Sequence, residues 1–399
     1  MTYNFIKSVP IKKILYLSFF LLIFSQIFIH NAFDDWENKY RTFSVPAQNV
    51  PGGDARNIQK TAFCHSQGYA YYSDNECYKN STIITDFYPD SQATPKYNYP
   101  PIVAKVYEFF NNYSEDFFQK FWFFNTLILI ITILVYSYKF NYLLFPFIAF
   151  SPVTLLAIER GNIDAITFSI LFLPLVLTAS VFLHIIFIGF ATTIKLFPIV
   201  SYLALYKKNF TDIKKKSVAL ILILPLIVYS VLSIQEYTKS TSYGFGAAFG
   251  LFSLKNAPFF SNHLLLSYLG IILYLLFTFI LVFSISRNKH LIKPLILNIK
   301  KIKKSQLNIL LISLIIYSSV FMVFTNWGYR FIFLIPAFLI LSNFKDIISR
   351  ISFGLIFIIL WIPWMPYGWS FFNLLNYALF PWIIIIFIFS YKYHFFDQK

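Results

Sequence analysis

The chain has 399 residues, 58% of them hydrophobic and 13% charged, with a mean hydropathy of +0.63 and a formal net charge of +16. Apolar runs of membrane-spanning length recur from Ile14 to Tyr391, which excludes a soluble enzyme and indicates an all-α, polytopic helical membrane protein. The charge excess would suggest nucleic acid in a soluble protein; here the retention of Lys and Arg on the cytoplasmic side explains most of it, and no nucleic-acid partner is needed.

Residues 1–30 hold the N-terminus and a first apolar run, Ile14 to Ile29, which follows Lys7, Lys12 and Lys13. The charge order is that of a signal peptide, but no small-residue cleavage site follows, so the run reads as a retained first span. Residues 31–120 then form a large polar segment, which contains 11 of the 17 acidic residues and both cysteines. Cys64 and Cys77 lie 13 residues apart, a separation that a disulfide can close in an oxidising compartment; two free thiols are the alternative.

Within this segment Asp54 stands out in Gly52-Gly53-Asp54-Ala55-Arg56-Asn57, because two glycines let a ligand approach the backbone closely. Asp34, Asp35 and Glu37 compete with it directly after the first span, whereas Asp74, Glu76, Asp86 and Asp90 read as solvated charge. Tyr97-Asn98-Tyr99-Pro100-Pro101 has a backbone restricted by two prolines. Its rings suit either the C–H face of a sugar or the membrane interface.

Residues 121–399 form a multi-span domain that starts with Phe121 to Tyr138 and Tyr142 to Ile158. The next 44 residues, Ile163 to Tyr206, extend about 66 Å as helix. With Glu159 and Arg160 outside and Lys207 and Lys208 inside, the number of crossings is odd, so three short or tilted segments are expected, with Lys195 near the outer face. Ser217 to Ile234, Leu264 to Phe283, Leu307 to Phe324, Phe331 to Leu341, Ile351 to Trp364 and Leu374 to Tyr391 complete a count of about twelve spans. The linker Arg287 to Lys304 carries seven positive charges and no acid, a cytoplasmic topology signal rather than a specific lipid site. In this arrangement the cytoplasmic segments hold 20 Lys or Arg against 3 acids and the outer ones 13 against 14, which puts both termini in the cytoplasm.

The same topology brings Asp54, Glu159 and Arg160, Lys195, and Arg330 in Asn326-Trp327-Gly328-Tyr329-Arg330 to one membrane face. Ionisable residues at span ends are costly and are functional candidates by default. A carboxylate beside three cations suits sugar transfer from a lipid phosphate: the carboxylate takes the acceptor proton and the cations stabilise the leaving phosphate. Arginine fits a phosphate through its planar fork of donors. The plainer alternative is that Arg160, Lys195 and Arg330 snorkel to lipid headgroups.

In motif order the chain resembles the polyprenol-phosphate-sugar-dependent glycosyltransferases of the GT-C superfamily, and most closely glycosyltransferase family 87. The resemblance rests on Asp54, on Asn98-Tyr99-Pro100-Pro101 for a Tyr-Pro-Pro element, on Arg160-Gly161-Asn162 for Arg-Gly-Gln, and on Lys195-Leu196-Phe197-Pro198 for Lys-x-x-Pro. Each motif is short, and the specificity lies in their order. Asn162 departs from the usual Gln, which keeps the amide and shortens its reach.

The resemblance implies a metal-independent, inverting single displacement at the outer side of the membrane, with Asp54 as base and Asp34 or Asp35 as the alternative. Arg56, Glu159, Arg160, Asn162, Lys195, Arg330 and Tyr99 would line the donor phosphate and substrate. The implied partners are a polyprenyl-phosphate sugar donor, a glycan or glycolipid acceptor and the lipids of a bacterial inner membrane. No cofactor is expected: the six histidines have no metal-ligand spacing, and Walker, Rossmann and zinc motifs are missing. Two other classes fit the same residues. One is a transporter, flippase or polymerase of lipid-linked glycans with charges along a translocation path, although no paired halves are visible. The other is an assembly protein whose outer segment binds a partner.

Overall fold

In an apolar slab each backbone N–H and C=O has to be satisfied within the protein, and a helix does so within one segment. The computed structural model is helical accordingly. It describes residues 10–30, 33–43, 45, 52–71, 77, 99–110, 115–178, 180–205, 248–249, 251, 264–323, 326–361 and 369–396, together with 224 and 228. Helix α1 (Ile11–Ser25) continues as a π-helical turn, Gln26–His30. Where it is described, the polar segment after it is built mainly of helices: α2 (Trp36–Thr42), α3 (Gly53–Ser66), α4 (Pro101–Phe110) and the start of α5 (Glu115–Phe140). Asp74, Glu76, Asp86, Asp90 and Asn98 lie outside the described residues.

The expected span over 142–158 is broken. Helices α6 (Phe145–Ala149) and α7 (Pro152–Glu159) meet at 53°. Pro152 opens α7 where no N–H is required, and Ser151 Oγ accepts the Thr154 N–H, so the second helix is capped as a new start. The 163–206 stretch forms an antiparallel hairpin, α8 (Asp164–Leu177) and α9 (Val181–Ile194), followed by a 3-10 turn (Phe197–Val200) and the five-residue α10 (Ser201–Leu205). Of the three short or tilted segments expected, two are short helices, ended after 14 residues each by the extended Thr178 and Lys195, and the third is seen only as the five-residue α10, since residues 206–223 lie outside the described residues.

Helices α11 (Leu264–Arg287), α12 (Lys289–Lys301), α13 (Lys304–Val323), α14 (Ile335–Leu341), α15 (Ile347–Trp361) and α16 (Trp369–Phe396) complete the bundle. The expected span at 331–341 is instead a 3-10 stretch, Gly328–Leu334, leading into the seven-residue α14. Just before it, Asn326–Trp327 pairs antiparallel with Ala248–Phe249. The expected span at 217–234 lies outside the described residues except for 224 and 228.

Among the described residues, five helices can cross a membrane by length and composition, or six if the bent pair is one span, and four shorter apolar helices accompany them. The chain is a multi-pass membrane protein on this pattern.

Side-chain contacts sort the helix ends into two sets. At one end the Lys13 ammonium lies over the rings of Tyr138 and Tyr142, at 5.9 and 5.3 Å. Lys139 Nζ donates to the Val176 carbonyl at 3.1 Å, Asn141 Nδ2 to Ser342 Oγ at 3.2 Å and Asn298 Nδ2 to Asp346 Oδ2 at 2.8 Å, while Lys300 sits over Tyr393 at 5.9 Å. This end therefore gathers the basic segments. At the other end Trp122 Nε1 donates to the Ile158 carbonyl at 2.7 Å and Asn125 Nδ2 to the Asn162 carbonyl at 3.0 Å. Trp122 and Lys139 are about 26 Å apart along α5 at 1.5 Å per residue.

Over the second end, α3 and α4 form a helical cap with its own small core of Ile58, Ala62, Tyr99, Val103, Ala104 and Tyr107, closed from below by Ile163 of the bundle. The expected disulfide is present: Cys64 and Cys77 are bonded, with Cα atoms 5.8 Å apart. The cap and the basic end should face opposite compartments. A thiol probe added to sealed cells should label a cysteine placed at Gly68, which turns with open space around it, and should leave one placed at Lys293 unlabelled. Labelling of position 68 only after permeabilisation would reverse the orientation.

Candidate functional site

The site begins where two helix ends satisfy each other. The last carbonyls of a helix and the first amides of the next have no partners within their own helices. Here the Gly52 N–H donates to the Glu159 carbonyl at 2.8 Å and the Asp54 N–H to the Arg160 carbonyl at 3.0 Å, which fastens the start of α3 to the end of α7. Two left-handed glycines allow this approach: Gly52 at φ +75° and Gly161 at φ +59°. A Cβ on Gly161 would lie 3.0 Å from Ala55 Cβ and 3.4 Å from Gly52 Cα, and one on Gly52 would overlap the Phe118 ring. Gly161→Ala should therefore lower stability by about 1–3 kcal/mol through backbone strain. Thermal unfolding in detergent measures it, and an unchanged midpoint would mean that the two helix ends are not locked this way.

Asp54 is partly buried in the first turn of α3, and its Oδ2 accepts a short hydrogen bond from Asn162 Nδ2. The same amide nitrogen lies 3.4 Å from Tyr99 Oη, and the amide oxygen accepts the Asp164 N–H at 2.7 Å. Asn162 thus ties the cap, the Tyr-Pro-Pro turn and the start of α8 together. Burial pushes the Asp54 carboxyl above the ordinary carboxylate range, opposed by Arg160, by the Asn162 hydrogen bond and by Lys195.

The sequence reading placed three cations around one carboxylate. The structure corrects this with a second carboxylate, Asp164, which that reading passed over. Asp164 is fully buried; Arg330 Nε lies 3.2 Å from its Oδ2 and Lys195 Nζ 3.6 Å from its Oδ1. Arg160 Nε is 3.0 Å from Oε2 of Glu159, itself fully buried. None of the three is a simple snorkelling cation. Asp164 was detectable as an ionisable residue in the first turn of an apolar helix, two residues past the Arg-Gly-Asn motif.

Other expectations change as well. Tyr99 is buried, and its ring carries the Lys195 ammonium 4.1 Å from the centroid, so that face is turned to the lysine rather than to a sugar or the membrane interface. The Arg56 guanidinium lies over Phe118 at 4.0 Å. Asp34 and Asp35 are exposed and belong to another place. Asp35 accepts from Asn38 Nδ2 at 2.8 Å, and Asp34 lines a cleft of about 380 Å³ with His30, Phe33, Asp116, Lys120 and Trp122. Trp122 separates that cleft from the Gly52–Gly161 contact, with its Cδ1 3.3 Å from a Cβ built on Gly161. Among the described residues, no His, Cys, Asp and Glu side chains gather in threes as a metal site requires.

Comparison of the chain with protein-family models and with curated protein sequences finds no match. The chemistry is therefore read from the cluster itself. It joins a carboxylate of raised basicity at its rim to two cations held around a second, inner carboxylate. Such a set can take a proton from one group while stabilising negative charge on another.

Proposed function

We propose that this chain is an integral-membrane glycosyltransferase that moves a sugar from a polyprenyl-phosphate donor to an acceptor hydroxyl, with inversion at the reacting carbon. The observation that carries the reading is the convergence of Asp54, Tyr99, Asn162, Lys195 and Arg330, drawn from distant parts of the chain, at the bundle end opposite the basic segments. Two carboxylates in different surroundings suit different tasks. Asp54, lifted in pKa and at the rim, serves as the base for the acceptor hydroxyl; Asp164, held between two cations, keeps them in place. Lys195 and Arg330 stabilise the phosphate as the sugar leaves it.

In this reading the molecule is a GT-C-type protein of about twelve spans. Its basic end lies in the cytoplasm, and its cap faces the outer side of a bacterial inner membrane. The acceptor is a glycan or glycolipid reached from that side. Incubation of the purified protein in vesicles with a polyprenyl-phosphate sugar and a simple alkyl glycoside should release polyprenyl phosphate and form a glycoside of inverted configuration. A buried ion network also occurs in transporters. Movement of the lipid-linked sugar across the vesicle with no release of lipid phosphate would favour that class and end the transferase reading.

A further inference from the structure

Lys195, Arg330 and Asp164 form the inner layer of the cluster: Lys195 is 3% exposed, the Arg330 side chain 11% and Asp164 0%. Counted together they carry one net positive charge. We propose that Asp164 is a resident counter-ion that sets the charge of the Lys195–Arg330 anion seat, so that the seat favours a singly charged lipid phosphodiester over the doubly charged phosphomonoester left after transfer. The identity of the donor rests on the transferase reading; the charge selectivity of the seat does not.

Three observations support a fixed charge. First, Asp164 is held in place: it opens α8, its backbone N–H is fixed by Asn162 Oδ1 at 2.7 Å, and its carboxylate is fully buried between Arg330 and Lys195. Second, it does not saturate the cations. The 3.6 Å approach of Lys195 Nζ is longer than a hydrogen bond, and Asp164 Oδ1 is buried with no hydrogen-bond partner. The ammonium is therefore attracted by that carboxylate without being hydrogen-bonded to it, and its donors are not taken up by Asp164. Third, the surrounding charges act in the same direction. Asp54 on α3 adds a negative charge that acts on Lys195, and Glu159, at the end of α7, pairs with Arg160.

A monoanion entering this seat meets two cations at the cost of one nearby carboxylate. A dianion meets the same carboxylate with twice the repulsion, in a medium where charges a few ångströms apart interact strongly. Without Asp164 the seat would be more positive by one charge, with only Asp54 nearby to offset it, and would retain the monoester. The counter-ion thus lowers affinity for the product relative to the donor, which assists turnover.

Binding of farnesyl phosphate and its methyl diester to the full-length protein in detergent tests this without any sugar transfer. At about pH 8, where the monoester is a dianion, the wild-type protein should prefer the diester by about tenfold or more. The preference should shrink at about pH 5, where the monoester carries one charge. Protonation of Asp54 would act in the same direction, so the pH pair is repeated in Asp54→Asn, where the shrinkage should persist.

Asp164→Asn should reverse the preference at about pH 8, tightening the monoester by about tenfold. Asp164→Glu should keep the wild-type order. Equal or stronger wild-type binding of the monoester at the higher pH overturns the proposal, as does an unchanged ratio in a folded Asp164→Asn protein. If Asp164→Asn does not fold, the wild-type comparison decides alone. A seat that discriminates as described in a protein that transfers no sugar would remove the transferase reading and leave this one.

Discussion

Asp54→Asn should leave the protein folded and still able to bind its donor while reducing transfer by about 10²- to 10⁴-fold, the usual worth of general-base assistance. The amide oxygen can still accept from Asn162 Nδ2, so the connection between cap and bundle survives. What is lost is a group able to take the acceptor proton as the new bond forms. The pH dependence of the wild-type protein carries the same information. Burial raises the Asp54 pKa, so its base form, and with it the rate, should decline with acidification at a pH above the ordinary carboxylate range. Rates are compared with thermal unfolding of the same preparations. Normal transfer by Asp54→Asn together with its loss in Asp34→Asn would move the base to the cleft beside Trp122. Indifference of both would remove the transferase reading.

Lys195→Ala should reduce kcat/KM for the lipid donor by the equivalent of about 2–4 kcal/mol, the loss associated with one donor to a developing negative charge. A second effect separates this from general damage. Lys195 lowers the Asp54 pKa, so its removal should move the acid limb of the rate profile to higher pH. Arg330→Ala should give a comparable loss, since Arg330 shares Asp164 with Lys195. Arg160 differs: its neighbour is Glu159, and it is the foremost charge holding the Asp54 pKa down. Its removal should shift the pH profile more than it weakens donor use. Wild-type kinetics in Lys195→Ala and Arg330→Ala would place the anion seat elsewhere.

The fold class was legible because hydropathy is a one-dimensional signal, and a helix in an apolar slab needs little else to be specified. The Cys64–Cys77 bond was legible for a similar reason, as two partners near each other in the chain. Asp54, Asn162 and Lys195 were found through local patterns, and the structure does bring them together. Asp164 was not found because a single acid barely changes the mean of an apolar run. What distinguishes it is the company of Lys195 and of Arg330, the latter 166 residues away. Short segments over 163–206 were expected; that the third is described only as a five-residue helix was not, because charge parity counts crossings but says nothing about their length. The contact of Lys195 with Tyr99 was not legible for a related reason: the prolines beside Tyr99 restrict the backbone without revealing which cation will cover the ring.

Helices α8 and α9, with 14 residues each, rise only about 21 Å, whereas the hydrocarbon of a bilayer is about 30 Å thick. In a bilayer of that thickness, Asp164 and Lys195 at the top of the hairpin lie below the headgroups, or the lipid around them is pinched down to meet them. In the transferase reading a donor phosphate has to descend the remaining distance, so the height of the surrounding lipid becomes part of the reaction coordinate. Vesicles made from shorter acyl chains bring the phosphate and its seat to one level. In that reading the membrane is not only where this protein resides but a component of its active site.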